Sequence, residues 1–442
     1  MHLLTIDNLG PIRRCELPIM QYTVLTGYQA AGKSTLAKSV YFFKTLKEVL
    51  YRLMIRRWAF SETQQKSAGP FPDSGAEKTL IGSFDSTVRG RFLSTFGSSY
   101  HMDPGMRLSY RYAEGVEISI HLSESQSALT PNYVWIECSK KIRDFLREHE
   151  SWREQEQPGA ELRLKQQLSL LFDDPGETVY IPAGRSLLTV LGSQFSYIYA
   201  TMDDQQKRLL DACTRDYLDL VMKLRPRFSN GLIGLLEGLQ LSPAQEKLYQ
   251  EALTLIENIL KGRYAVSDGE ERIWIDEQRY VKINYASSGQ QESIWILNLL
   301  FYFLVMREPV YFIIEEPESN LFPESQKLIV ELISLVTGAG HSALLTTHSP
   351  YVLGALNNLI YAGAVGALSP KQTEQIISRS KWIDGSAFEA RFVENGTAEN
   401  CLDAELGQID NSLLDQISHS INEEYDSLFA AENQAGRDSV CR

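Results

Sequence analysis

The sequence predicts an α/β protein built on a mixed sheet, with an antiparallel patch and a helical insertion. Three stretches carry that expectation. Gly27-Tyr28-Gln29-Ala30-Ala31-Gly32-Lys33-Ser34-Thr35 matches G-x-x-x-x-G-K-[ST] and lies between an apolar run, Tyr22–Thr26, and a segment of helical spacing. Val310–Ile314 is a second β-rich run, bounded by Pro309 and ending in Glu315-Glu316-Pro317-Glu318. Ala343–Thr347 is a third, and it runs into His348-Ser349-Pro350. Short apolar runs bounded in this way read as buried strands.

From the N-terminus, residues 1–26 alternate apolar and polar around a turn at Asn8-Leu9-Gly10-Pro11, which predicts two or three strands leading into the glycine loop. Leu36, Val40, Phe43, Leu46, Leu50, Leu53 and Met54 then predict one long helix, with Arg52, Arg56 and Arg57 near its end to offset the C-terminal dipole. Residues 61–76 read as a loop or flexible insertion. Three strands are expected at Arg107–Tyr112, Val116–Leu122 and Asn132–Cys138, the first two joined at Glu114-Gly115 as an antiparallel patch. Lys140–Phe172 is charged and helical, interrupted at Pro158-Gly159, and holds no heptad over three repeats, which excludes a long coiled-coil arm.

Thr178–Pro182 reads as a short strand, followed by Ala183-Gly184-Arg185-Ser186 and mixed helices to residue 240. Ser242 as N-cap, Pro243 at the first position, Gln245 completing a capping box and Gly262 past the end define a helix whose apolar face is Leu248, Ala252, Leu255, Ile256 and Ile259. Short strands follow at Tyr264–Val266, Arg272–Ile275 and Tyr280–Ile283. Ala286-Ser287-Ser288-Gly289-Gln290 then opens the apolar helix Ile294–Val305. The motifs divide the chain into a first part of the head at 1–138, a helical insertion or lid at 139–262, a second part of the head at 263–365, and a C-terminal extension at 366–442.

The chemistry follows from residue types at these places. Gly27 and Gly32 let backbone N–H groups turn onto phosphate oxygens, Lys33 reaches the β- and γ-phosphates, and Ser34 can ligate Mg²⁺. A phosphate-cradling loop needs a carboxylate at a neighbouring strand end to hold the metal and a base to orient water; Glu315 suits the first role and Glu316 the second. His348 can donate to a γ-phosphate or to attacking water. The small-residue loop Ser287–Gln290 at a helix N-terminus is an anion site by geometry, although a plain N-cap accounts for Ser287 or Ser288 equally well. Arg185 could sense nucleotide, but it reads first as a structural ion-pair former.

At 442 residues the chain has two or three domains' worth of length, or forms one large α/β unit. Its 43% hydrophobic and 22% charged residues are ordinary for a globular protein with a sizeable core. The net charge of −13 argues against polyanion binding by the chain as a whole, so nucleic acid would need a local basic patch or a partner. Cys15, Cys138, Cys213, Cys401 and Cys441 are scattered, with no C-x-x-C, and read as buried or incidental thiols. The N-terminus has no leader pattern, and the longest apolar stretch reads as Ile294–Met306, short of the roughly 18 residues of a membrane span. A soluble cytoplasmic protein is expected.

The four elements in this order, Gly27–Thr35, Ser287–Gln290, Ile314–Glu318 and Thr346–Pro350, resemble the ABC-type ATPases, in particular the branch related to the SMC and OLD families. The resemblance covers about residues 1–60 and 265–365 and implies an ABC-type ATPase head. It implies that Lys33, Ser34 and Thr35 bind the phosphates and Mg²⁺ of ATP, that Ser287, Ser288, Gly289 and Gln290 form a signature loop reaching the γ-phosphate bound by an opposite subunit, that Glu316 is the base and that His348 is the switch histidine. Ser288 stands where transporters commonly have glycine and Glu315 where aspartate is usual, both familiar in the OLD-like branch. No residue is assigned to the family's lid glutamine, and the stretch after His348 is too short for the Toprim nuclease domain of OLD proteins.

Tyr180–Arg185 and the tail Glu399–Phe429 look similar to ATPase subunits of two-gene antiphage systems of the PARIS and Septu types, in which a separate protein carries the nuclease. That resemblance implies self-association around ATP, an effector partner and a phage trigger. The acidic tail, with Glu423, Glu424, Asp426 and Glu432, is a partner surface or a solvated end. The alternatives are an SMC-like DNA-associated ATPase, a transporter's nucleotide-binding subunit and a scaffold that binds ATP without turnover.

Overall fold

His2–Leu9 (β1) and Ile12–Ile19 (β2) form an antiparallel hairpin because their apolar residues alternate inward, with Leu4, Ile6 and Leu17 wholly buried. The computed structural model describes residues 1–66, 79–123, 133–150, 159–207, 209–267, 270–403, 406–410 and 422–429. Tyr22–Gly27 (β3) leads into the glycine loop and then into Lys33–Lys44 (α1) and Leu46–Lys66 (α2).

The single long helix expected after the loop is broken at Thr45, whose Oγ1 donates to the carbonyls of Tyr41 at 2.9 Å and Phe42 at 3.0 Å. Hydroxyls bonded back onto the preceding turn bend helices. Arg52, Arg56 and Arg57 lie within α2 rather than at its C-terminus, and Arg57 pairs with Glu150 at 2.7 Å. Of the loop expected at 61–76, residues 61–66 continue α2, and the rest lies outside the described residues.

Leu80–Phe96 (α3) precedes Arg107–Ala113 (β4), Val116–Ser123 (β5) and Tyr133–Cys138 (β6). These strands extend the hairpin into an antiparallel sheet of order β2-β1-β4-β5-β6. Next come Lys140–Glu148 (α4), Ala160–Leu171 (α5), Glu177–Ile181 (β7), Ser186–Thr201 (α6), Asp204–Lys207 (α7), Ala212–Leu224 (α8) and Pro243–Leu260 (α9). The Ser242–Gln245 capping box is present in both directions, and Ala252, Leu255, Ile256 and Ile259 of α9 are buried. Arg263–Ser267 (β8), Glu270–Trp274 (β9) and Tyr280–Lys282 (β10) form a small antiparallel meander.

Ser288–Met306 (α10), Val310–Glu315 (β11), Pro323–Gly338 (α11), Ser342–Thr346 (β12), Pro350–Leu368 (α12), Pro370–Ile376 (α13), Phe388–Glu394 (β13) and Thr397–Asn400 (β14) complete the chain's named elements. The second sheet has the order β14-β13-β3-β12-β11-β7, and its strands are parallel except β14. It draws β7 from the stretch expected as a helical insertion and β13 and β14 from the stretch expected as a C-terminal extension. Side chains alternate across it: Val24, Phe312, Ile314 and Leu345 join the core formed with α10 and α11, while Leu25, Ile313 and Leu344 join the core formed with α1 and the antiparallel sheet. Burial on both faces explains the unbroken apolar runs of β11 and β12.

Ile294–Met306 is not the longest apolar stretch. α12 carries no charged residue over 19 positions and is apolar enough by length and composition to cross a membrane. Half of its apolar window is buried within the protein, Val352, Leu356 and Leu359 among the buried residues, and core packing accounts for that composition. Cys15, Cys138, Cys213 and Cys401 are free and buried; Cys441 lies outside the described residues. In the tail, Glu423, Glu424 and Asp426 are exposed, and Glu432 lies outside the described residues.

Candidate functional site

Parallel pairing of β3, β12 and β11 brings three ends that are far apart in sequence to one edge of the sheet. Leu25 is level with Thr346, and Thr346 with Glu315. From β3 the chain enters the glycine loop. Gly27 has φ 135°, and a Cβ there would lie 2.2 Å from the Val393 carbonyl oxygen, so the loop can pass β13 only as glycine.

Within the loop the Lys33 ammonium is turned back onto the chain. It donates to the carbonyls of Gly27 at 2.8 Å and Tyr28 at 2.7 Å, and it lies 3.2 Å from His348 Nδ1. Burial pushes its pKa down to about 8, against the pull of Glu316 and Glu318. Ser34 is exposed at the start of α1, and Tyr28, half exposed, meets Phe392 edge-on at 5.7 Å.

At the end of β11, Glu315 is buried. Its Oε2 accepts from the Ala183 N–H at 3.3 Å, and its Oε1 has no hydrogen-bond partner among the described residues. Glu316 turns into the left-handed region at φ 43°, a conformation costing about 1–3 kcal/mol in a non-glycine residue. Its N–H donates to the Thr346 carbonyl at 3.0 Å, and its carboxylate accepts from Ser319 Oγ at 3.2 Å. His348 Nε2 lies 3.0 Å from Glu316 Oε1. An ionised carboxylate only accepts, so Nε2 carries a proton; Nδ1 lies 3.0 Å from the Gly27 carbonyl oxygen as well as 3.2 Å from Lys33 Nζ, and donates to the first or accepts from the second according to whether it carries a proton. Lys33, His348 and Glu316 thus lie in one run of polar contacts across the three strand ends, with the Gly27 carbonyl touching both Lys33 and His348.

Two further residues tie this edge together. Arg185 is buried: its Nη1 donates to the carbonyls of Pro182 and Glu315, each at 2.6 Å, its Nη2 to that of Glu316 at 3.0 Å, and its Nε to that of Glu292 at 3.1 Å. Its Nε also lies 3.6 Å from Glu292 Oε2, so Arg185 pairs with a carboxylate but spends most of its donors on backbone carbonyls. Glu318, also buried, accepts from Thr347 Oγ1 at 2.6 Å and from the His348 N–H at 3.1 Å. Its place in the acidic run is visible in the sequence, but its partners depend on which strand lies beside β11.

Ser287–Gln290 makes its bonds elsewhere. Ser287 caps α10 in a full capping box with Gln290, whose Nε2 donates to the Leu260 carbonyl at 2.6 Å. Gly289 lies against the turn after β11, where a Cβ would come 2.6 Å from the Asn320 carbonyl oxygen. Ser287 and Ser288 are exposed.

The orphaned oxygen of Glu315 at a strand end and the exposed hydroxyl of Ser34 at the loop are hard oxygen donors of the kind Mg²⁺ takes. Among the described residues no cluster of three or more His, Cys, Asp or Glu could hold a metal on its own, so a metal here would take its remaining ligands from phosphate and water.

Strand, glycine loop, helix and the adjoining carboxylates define a mixed α/β P-loop NTPase fold. Residues 201–353 match the family described as AAA ATPase domain, AAA_15, a stretch that takes in Ser287–Gln290, Glu315–Glu318 and His348. Among solved structures, the chain is similar to an SMC head bound to the C-winged helix domain of ScpA, with 11% identity and a TM-score of 0.39 over 90% of this chain and 95% of that one. The SMC head domain from Thermotoga maritima gives 10% identity and a TM-score of 0.35 over 90% and 97%. An Smc head domain with an extended coiled coil, bound to the C-terminal domain of ScpA derived from Pyrococcus furiosus, gives 11% and 0.36 over 90% and 96%. No curated protein matches the chain.

Proposed function

We propose that the chain binds ATP with Mg²⁺ and hydrolyses it between two copies of itself, and that this cycle controls a separate effector. The observation that carries the reading is the run of polar contacts from Lys33 through His348 to Glu316. A γ-phosphate is a stronger acceptor than the Gly27 and Tyr28 carbonyls, so Lys33 exchanges those bonds for phosphate. Glu316 takes the proton of attacking water, and His348 keeps its carboxylate turned toward the phosphate. Ser34 and Glu315 would hold Mg²⁺, which when bound would neutralise charge at the phosphates.

Ser287–Gln290, an exposed helix N-terminus bonded away from Lys33, is suited to the nucleotide of a second copy. The resemblance of Tyr180–Arg185 and of the tail supports the finer role, a cytoplasmic sensor or scaffold in antiphage defence that restrains a nuclease until a phage trigger arrives.

ATP turnover and particle mass, measured for wild type beside Glu316→Gln, test the reading. Wild-type turnover, lost by about 100-fold or more in the variant while an ATP-bound larger assembly accumulates, is the expected result. Binding without turnover in both proteins would replace hydrolysis with an ATP-binding scaffold.

A further inference from the structure

The reading above gives no task to Glu318, a buried carboxylate beside the site. Glu318 is 8% exposed, and one of its oxygens, Oε2, has no hydrogen-bond partner among the described residues. A carboxylate kept for packing alone is a poor choice at such a place, since an apolar side chain of similar size fills it without a desolvation penalty. What Glu318 does hold is specific. Its Oε1 takes both the Thr347 hydroxyl and the His348 N–H, the two groups that fix how the chain leaves β12 and enters the imidazole. Thr347 Oγ1 in turn accepts from the Ser349 N–H at 3.0 Å, and Ser349 caps α12. The lacing runs the other way as well, from the Glu316 N–H to the Thr346 carbonyl. Two strand ends are thus cross-tied by side chain in one direction and by backbone in the other, with the His348 ring between Lys33 and Glu316 as the result.

We propose that Glu318 is a positioning residue for ATP hydrolysis, holding Thr347 and His348 so that the imidazole stays in line between Lys33 and Glu316. The inference rests on the proposed ATPase reading and names a residue which that reading does not use. Glu318 touches neither the imidazole nor Lys33 through a hydrogen bond; it acts through the backbone that carries the ring. Burial pushes its carboxyl up, and the Thr347 and His348 donors pull the other way.

The test combines steady-state ATPase kinetics with the imidazole ¹⁵N resonances of His348 in the full chain. Glu318→Ala is expected to lower kcat by about tenfold or more, since small misplacements of a catalytic group are costly, and to leave KM for ATP within about threefold. Glu318→Gln, which keeps an oxygen at Oε1, is expected to recover most of that loss. Thr347→Val replaces the hydroxyl by a methyl and is expected to act in the same direction, with a lowered melting temperature because Glu318 Oε1 and the Ser349 N–H lose that partner. In Glu318→Ala the His348 ring resonances should move toward those of a freely tautomerising imidazole.

An unchanged kcat in Glu318→Ala, or His348 resonances identical to wild type, overturns the proposal. If wild type shows no turnover, the ATPase reading falls by itself, and the ring resonances alone decide whether Glu318 positions His348.

Discussion

Lys33 sets the pH behaviour of the site. An ordinary lysine is charged to above pH 10, but burial brings this one to about 8. On the proposed function the ammonium binds the γ-phosphate, so ATP affinity should be constant below pH 8 and fall by up to about tenfold per pH unit above it. The sign for folding is opposite. The unfolded chain holds this proton more tightly than the folded one, so the lysine's unfavourable contribution to stability is removed as pH rises from about 8 toward its ordinary value of 10.5. Nucleotide dissociation constants measured between pH 7 and 9.5 check this, and a flat profile would mean that Lys33 stays charged on the loop carbonyls.

At the scale of single elements, the capping box of α9 has a consequence away from the site. Ser242→Ala removes the acceptor of the Gln245 N–H while keeping the backbone N–H that donates to Gln245 Oε1, and should cost about 1 kcal/mol in urea denaturation with ATP binding unchanged. That helix is also where the sequence is most legible, because cap, first-turn proline and apolar face lie within 21 consecutive residues. The glycine loop and the strands beside it are legible for the same reason. Less local features are not. The break at Thr45 depends on which carbonyls a hydroxyl reaches, and β13 reads as a strand only once β3 lies beside it. Glu318 shows the same limit within the site: an acidic residue two places past Glu316 has no visible task until β12 brings Thr347 to it.

Over the whole molecule, the helix pair after the glycine loop is pinned to the far end of the parallel sheet. Lys44 Nζ lies 2.9 Å from Asp174, and Lys47 Nζ donates to the carbonyls of Asp174 and Gly176, all just before β7. Burial alone would raise the Asp174 carboxyl, but Lys44 and Lys47 outweigh it and hold it below the usual 3.8. Its stabilising contribution is therefore fully present above that value and is lost as pH falls through the lower folded one. Asp174→Ala strands the Lys44 ammonium in the interior, while Lys47 keeps its two carbonyl acceptors, and should cost about 3–5 kcal/mol, measured as a lowered denaturation midpoint. A loss below about 1 kcal/mol would show that water reaches Lys44.

The strand order also fixes a timetable. β3 is complete by residue 27, yet its two neighbours in the sheet, β12 and β13, begin at residues 342 and 388. While the chain is being made, the glycine loop therefore waits through most of synthesis with neither side of its strand paired. Long-range parallel pairing of this kind is slow and exposes apolar edges. On the proposed function, ribosome-bound chains that stop short of β12 should be unable to hold nucleotide.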